Sequence, residues 1–239
     1  MNYNTLFISD VHLGTSNSQA DKLSKFLSNN TFKKIYLVGD IIDMIMMKRK
    51  FYWMKKHNKV IQQLLKLSKN TEIIYLIGNH DIFLETFIGE KFGNIKVLEQ
   101  DTHITSKNEK CLVLHGHQFD GALMTYTWLY WMGSKAYDLS LWVNRVYNTV
   151  RNKLNMDYWS LSLYLKSKTK KVIKFVNNYE NLVSKFAEKN NVHTIIAGHI
   201  HLMEDKKIDN IRYMNCGCWT EFTSCIVEDI NGNLKVILV

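Results

Sequence analysis

Five short apolar runs, each ending at a residue able to hold a metal or a proton, constrain this chain more than any other feature. Residues 6–8 run into Ser9-Asp10-Val11-His12, residues 35–38 into Gly39-Asp40-Ile41-Ile42-Asp43, and residues 73–77 into Gly78-Asn79-His80-Asp81. Residues 112–114 run into His115-Gly116-His117, and residues 194–197 into Gly198-His199-Ile200-His201. Runs this short, bounded by turn residues, read as strands buried on both faces. Helical patterns over about 19–28 and 50–68 separate the first three, so strand and helix alternate as a layered α/β sheet requires. After Ile200 the pattern changes to short β segments at 211–215, 223–228 and 234–238, which predict a second, antiparallel sheet.

The stretch at about 120–190 differs in character. It is long, helical in period and rich in aromatic residues, among them Trp128, Trp131, Trp142 and Trp159. Inserted between two core strands, it predicts a helical cap on a single domain of 239 residues, with no repeat or low-complexity linker to mark an independent second domain. Its basic residues, Lys166 among them, lie between the aromatics, so a phosphate-bearing head and an apolar tail have places there. The plainer alternative is that the aromatics form the cap's own core and the lysines a solvated face.

Apolar residues make up 46% of the chain, which excludes disordered and fibrous classes. The net charge of +9, from 31 Lys and Arg against 22 Asp and Glu, favours anionic partners: phosphates, nucleic acid or the head groups of an anionic membrane surface. No uncharged apolar stretch reaches the length of a membrane span, and the first residues have no basic leader pattern. The expected location is therefore cytoplasmic, with the inner membrane as a peripheral contact. The four cysteines form no CxxC pair, and Cys216-Gly-Cys218 reads as structural, because residues two apart on a strand share a face without enclosing an ion.

The chemistry is concentrated at the strand ends. Asp10 and His12 alone are weak evidence, and any one of these histidines has a hydrogen-bonded structural role as its ordinary alternative. Five strand ends that converge with Asp, His, Asp, Asn, His, His and His are another matter. Carboxylate and amide oxygens mixed with imidazoles suit Mn²⁺, Fe or Zn²⁺, and one carboxylate shared between two ions makes a dinuclear site economical in residues.

In order and spacing these segments resemble the calcineurin-like metallophosphoesterase superfamily, with its D-x-H, G-D-x-x-D, G-N-H-D/E, H and G-H-x-H pattern. The resemblance implies a four-layer α/β sandwich flanked by helices and a centre of two divalent metal ions, Mn²⁺ foremost. Asp10, His12 and His201 would hold one ion, Asn79, His115 and His199 the other, and Asp40 would bridge. Asp43 would orient a ligand. His80, oriented by Asp81, would contact a phosphoryl oxygen or protonate the leaving group, and His117 would be a phosphate contact or a supporting residue. Two-metal hydrolysis activates water for in-line attack while the ions neutralise charge on the phosphoryl oxygens.

Within the superfamily the chain is similar to the UDP-2,3-diacylglucosamine hydrolases through residues 7–14, Tyr158-Trp159-Ser160-Leu161-Ser162 and the segment 215–221. That implies an acylated nucleotide sugar as substrate and a place in lipid A synthesis. The chain departs from that pattern at His80, where arginine is usual, and at His117, where aspartate is common. Alternatives on the same centre are a phosphodiesterase or nuclease, with aromatics stacking on bases, and a small-molecule phosphatase. From a different class there is a non-catalytic binding module on this fold.

Overall fold

The computed structural model describes residues 1–122, 147–148, 151 and 170–239. Contacts divide the chain into two compact units, one formed by Met1–Gln118 with Val183–Val239, the other by Phe119–Leu182. Most of the expected cap, including Trp159 and Lys166, lies outside the described residues.

Strands β1 (Asn2–Ile8), β2 (Thr31–Val38) and β3 (Glu72–Leu76) are parallel and adjacent. Helix α1 (Ala20–Asn29) joins the first two, and α2 (Met44–Arg49) with α3 (Lys55–Leu67) joins the next. Beyond β3 come β4 (Lys91–Phe92), β5 (Ile95–Leu98), β6 (Gln100–Ile104) and β7 (Lys110–Leu114). Helix α4 (Lys170–Lys189) precedes β8 (Thr194–Ala197), β9 (Met203–Ile208), β10 (Ile211–Cys216), β11 (Ser224–Glu228) and β12 (Leu234–Leu238). The strands form a seven-stranded sheet, β12-β11-β1-β2-β3-β5-β4, and a five-stranded sheet, β6-β7-β8-β10-β9.

The unbroken apolar runs have a direct explanation in the two-residue period of a strand. Leu6, Ile8, Ile35, Leu37, Ile73 and Tyr75 face α1 and α3, packing with Leu23, Leu27, Val60 and Leu64. The intervening Phe7, Tyr36, Val38, Ile74 and Leu76 face the other sheet, where they meet Cys111, Val113, Ile196 and Met214. Each helix offers its apolar residues four apart, one face, while each central strand must be apolar throughout. Burying one such Leu or Ile is worth about 1.5–3 kcal/mol.

This is the expected α/β sandwich with helices outside. One expectation fails: the C-terminal segments do not make a separate antiparallel sheet. β9 and β10 extend the sheet begun by β6 to β8, with β10 parallel to β8, whereas β11 and β12 cross to the first sheet and β11 lies antiparallel beside β1. Glu228 of β11 is buried where the sheets meet. It accepts hydrogen bonds from Thr5 Oγ1 (2.7 Å) and the Ser106 amide (2.7 Å), and it lies 2.9 Å from His103 Nε2. Among the described residues no helix is long and apolar enough to cross a membrane.

Candidate metal centre

The loops that follow β1, β2, β3, β7 and β8 meet at one end of the sandwich, so both sheets contribute side chains. They are tied through their backbones: Asp10 N–H donates to the Gly39 carbonyl (3.1 Å), His12 N–H to that of Asp40 (3.0 Å) and Gly198 N–H to that of His115 (2.9 Å). Turning sharply at a strand end while projecting a side chain inward puts Asp10, His12, Asp40, His199 and His201 at φ between 49° and 69°. Such a conformation costs a non-glycine residue about 1–3 kcal/mol, and it clusters where surrounding structure over-determines it. The glycines beside these residues are close-packed, since a Cβ on Gly78 would stand 2.5 Å from the Asp40 amide nitrogen.

Three groups of side chains each bring their donor atoms within 4.8 Å: Asp10, His12 and His201; His12, Asp40 and His80; and Asp40, His115 and His199. Each carboxylate divides its work between its oxygens. Asp10 Oδ2 accepts from the His199 amide (2.9 Å) and meets Ser9 Oγ, leaving Oδ1 facing His201 Nε2 at 3.0 Å. Asp40 Oδ1 accepts from the His80 amide (2.8 Å), and its Oδ2 stands 3.9 Å from His12 Nε2 and 3.4 Å from His115 Nε2. That oxygen therefore faces nitrogens of the first and third groups together.

The histidines are oriented through their far nitrogens. His12 Nδ1 lies 2.9 Å from Asp43 Oδ2, and His115 Nδ1 lies 2.8 Å from the Val38 carbonyl, so each ring turns Nε2 inward. Such partners fix the tautomer a metal needs. Asp43 also lies 2.9 Å from His80 Nδ1 and caps α2 by accepting from the Met46 amide (2.8 Å).

Asp81 does not orient His80. Its Oδ2 accepts from the Ile41 amide (2.9 Å) and Tyr75 Oη (2.7 Å), and its Oδ1 from Gly78 N–H (2.6 Å), so it ties the β2 and β3 loops from behind. Burial raises its pKa. Asn79 stands between Gly78 and His80, its Oδ1 buried without a hydrogen-bond partner. The His117 ring centroid lies 5.5 Å from that of His115 and 6.5 Å from that of His199. Sequence reading missed Ser9, which sits between Asp10 and the Val38 carbonyl (2.9 Å), because a serine before a strand-end aspartate carries no distinguishing signal.

The electrostatics suit a cation. Burial opposes charge throughout, yet contacts with Asp10 and Asp43 raise the His12 pKa to about 9, and Asp40 does the same for His115. Against the same opposition of burial, His201 holds Asp10 well below the usual carboxylate range and His115 brings Asp40 to about 2. Asp10 Oδ1, Asn79 Oδ1 and His115 Nε2 are buried with no hydrogen bond, and His12 Nε2 faces His201 Nε2 at 3.4 Å. Buried lone pairs aimed at one another call for a positive charge between them. The oxygen and imidazole donors fit divalent ions of the Mn²⁺, Fe or Zn²⁺ type.

The calcineurin-like phosphoesterase model matches residues 3–203. The UDP-2,3-diacylglucosamine hydrolase of Wigglesworthia glossinidia brevipalpis is 25% identical over 250 aligned positions, covering 98% of this chain and 93% of the relative. That of Psychromonas ingrahamii is 27% identical over 214, covering 82% and 80%. Among solved structures, a Vps29 variant from Entamoeba histolytica matches at 14% identity and TM-score 0.47 over 98% of this chain and 97% of that one. Yfce, a phosphoesterase from E. coli, matches at 13% identity and TM-score 0.47 over 98% of each. The match spans all five strand ends at which the carboxylates and imidazoles gather, and the chain belongs to the calcineurin-like phosphoesterase family, as a metal-dependent phosphoester hydrolase.

Proposed function

We propose that this protein hydrolyses the pyrophosphate bond of an acylated nucleotide sugar of the UDP-2,3-diacylglucosamine kind, releasing UMP and an acylated sugar phosphate. The observation that carries the reading is the pair of relatives named for that reaction, one aligned over 98% of the chain. Asp10, His12 and His201 would hold one divalent ion, Asn79, His115 and His199 a second, and Asp40 Oδ2 faces both groups. Two such ions supply an activated water and neutralise negative charge on the phosphoryl oxygens.

The remaining steps belong to the protein's own groups. Asp43 engages Nδ1 of His80, which leaves Nε2 as the nitrogen that meets substrate. From there it donates a hydrogen bond to a phosphoryl oxygen or a proton to the leaving oxygen, a contribution of about 10²- to 10⁴-fold. His117 stands beside His115 and His199 as a further phosphate contact. The substrate's remainder falls to the cap, with Trp159 as a proposed contact for the apolar tail and Lys166 for the phosphate-bearing head. The cationic chain suits both the anionic substrate and the anionic membrane surface from which a lipid substrate would be drawn.

The deciding assay compares UMP release from UDP-2,3-diacylglucosamine with hydrolysis of a generic phosphodiester, single-stranded DNA and RNA, each with Mn²⁺. The acylated nucleotide sugar should be preferred in kcat/KM by orders of magnitude, since each buried methylene is worth about 0.8 kcal/mol. Faster turnover of a nucleic acid would reassign the protein as a nuclease. No turnover of any substrate by a metal-loaded protein would contradict the reading altogether.

A further inference from the structure

The two histidines of the Gly198-His199-Ile200-His201 loop go to different groups, His199 to that of Asp40 and His115, His201 to that of Asp10 and His12. A single backbone position therefore governs both halves of the centre. Gly198 is packed so tightly against Ser9 and Asp10 that a Cβ would come 2.6 Å from Asp10 Oδ2. Its N–H donates to the His115 carbonyl (2.9 Å), and its own carbonyl accepts from Ile200 N–H (2.8 Å) and from Asn215 Nδ2 (2.6 Å).

Asn215 is fully buried near the end of β10, a polar side chain in an otherwise apolar position pattern. Its amide is used at both ends. Besides the Gly198 carbonyl, Nδ2 donates to Tyr213 Oη (2.7 Å), while Oδ1 accepts from Gly217 N–H (3.0 Å). Gly217, at φ +73°, turns the chain into Cys218 and Trp219. The Trp219 amide donates to the Asp10 carbonyl (3.0 Å). A buried amide bonded at both ends holds its neighbours more firmly than any one contact suggests, because each broken bond leaves an unsatisfied group in the interior.

We infer that Asn215 is a positioning residue for both metal groups: it clamps the Gly198 carbonyl to place His199 and His201, and it holds the Gly217 turn that brings the Trp219 amide onto Asp10. The inference rests on the reading of the three groups as a two-metal centre. Partners that orient ligands typically change metal affinity by about 10- to 100-fold when removed.

The test uses the full chain, stripped of metal and titrated with Mn²⁺ and Zn²⁺ by calorimetry, with the melt of the metal-free protein recorded beside it. Asn215→Asp keeps an acceptor for Gly217 N–H but has no N–H for Gly198, so it should weaken both ions about 10- to 100-fold. Restoring the donor as Asn215→Gln should recover little, because the longer side chain cannot meet all three partners in a filled site. Wild-type affinity at both ions in Asn215→Asp overturns the inference while leaving the two-metal reading intact. A wild-type chain that binds no metal overturns both. Should Asn215→Asp fail to fold, Asn215→Ser, which withdraws the donor from the Gly198 carbonyl without adding a charge, takes its place. Affinity unchanged in that variant, or lowered only in step with the melt of the metal-free protein, would reduce Asn215 to a structural residue.

Discussion

Replacing Asp43 by Asn changes no shape, yet the hydrogen bonds around Asp43 fix how the new amide must lie. The Met46 amide is only a donor, and it meets Oδ1 at 2.8 Å; His80 Nδ1 meets the same oxygen at 2.9 Å. An amide that turned its NH2 group towards them would lose the cap of α2 and set donors against donors. Its oxygen must therefore stay in place, and its NH2 must face His12 Nδ1, 2.9 Å away, where the carboxylate accepted. His12 would then become an acceptor at Nδ1 and carry its proton on Nε2, the nitrogen that faces Asp10, Asp40 and His201.

To ligate a metal the ring would have to give up that tautomer and its new hydrogen bond. Turning Nδ1–H against the amide's NH2 leaves a buried donor unsatisfied, which costs about 1–3 kcal/mol, and each 1.4 kcal/mol is tenfold in an equilibrium constant. An ion held by Asp10, His12 and His201 should therefore bind roughly 5- to 150-fold more weakly, with the melt of the metal-free protein nearly unchanged because the cap survives. Competition against a chelator of known affinity reads this directly. If Asp43→Asn left both affinities at wild-type values, neither the tautomer argument nor the assignment of His12 as a ligand would stand.

Asp40→Asn should abolish turnover and lower metal content measured by elemental analysis, because Asp40 Oδ2 faces nitrogens of both groups; two retained ions with near-normal rate would refute that placing. His80→Ala should keep its metal and lose about 10²- to 10⁴-fold in kcat, whereas parallel loss of metal would make His80 a ligand. Gly198→Ala should lower thermal stability by about 1–3 kcal/mol, since its Cβ would meet Asp10 Oδ2 at 2.6 Å; an unchanged melt would contradict the close packing. Burial pushes the Glu228 carboxyl up, but the Ser106 amide, Thr5 hydroxyl and His103 outweigh it, so its folded pKa lies below the unfolded value of about 4.3. The stability this gives is present above that pH and lost as pH falls through the folded pKa; Glu228→Gln should flatten that part of a denaturation-against-pH curve.

The strand ends were legible because their signal is local: a run apolar on both faces, a glycine, then a donor. The helices over Ala20–Asn29 and Lys55–Leu67 were legible from periodicity to within a few residues, apart from the non-helical lead-in at 50–54. The destination of β11 and β12 was not, because strand partners at opposite ends of a chain leave no mark on either segment's own pattern. Strands β4 to β6 are short and partly polar, without the buried alternation that identifies a strand. The partner of His80 was misjudged for a similar reason. Asp81 is its neighbour in sequence, but adjacent side chains leave a tight turn in different directions, and the carboxylate that reaches the ring comes from the β2 loop. Asn215 was invisible as a positioning residue, since an asparagine in a strand shows nothing of the carbonyl it grips.

The place of β11 beside β1 has a consequence for how the molecule comes into being. β1 is completed on one side by β2, available early in synthesis, and on the other by a strand from residues 224–228. Thr5 and Glu228, 223 positions apart, share a hydrogen bond. Likewise Asp10 and His12 must wait for His201 before their group exists. Contacts so distant along the chain require large loops to close before they repay the entropy, which slows folding. On the ribosome, β1 to β3 and their helices would stand as an unfinished layer with an exposed flank until residues 224–228 had emerged. Any ion held between Asp10, His12 and His201 could then be captured only after residues 194–201 had joined their sheet.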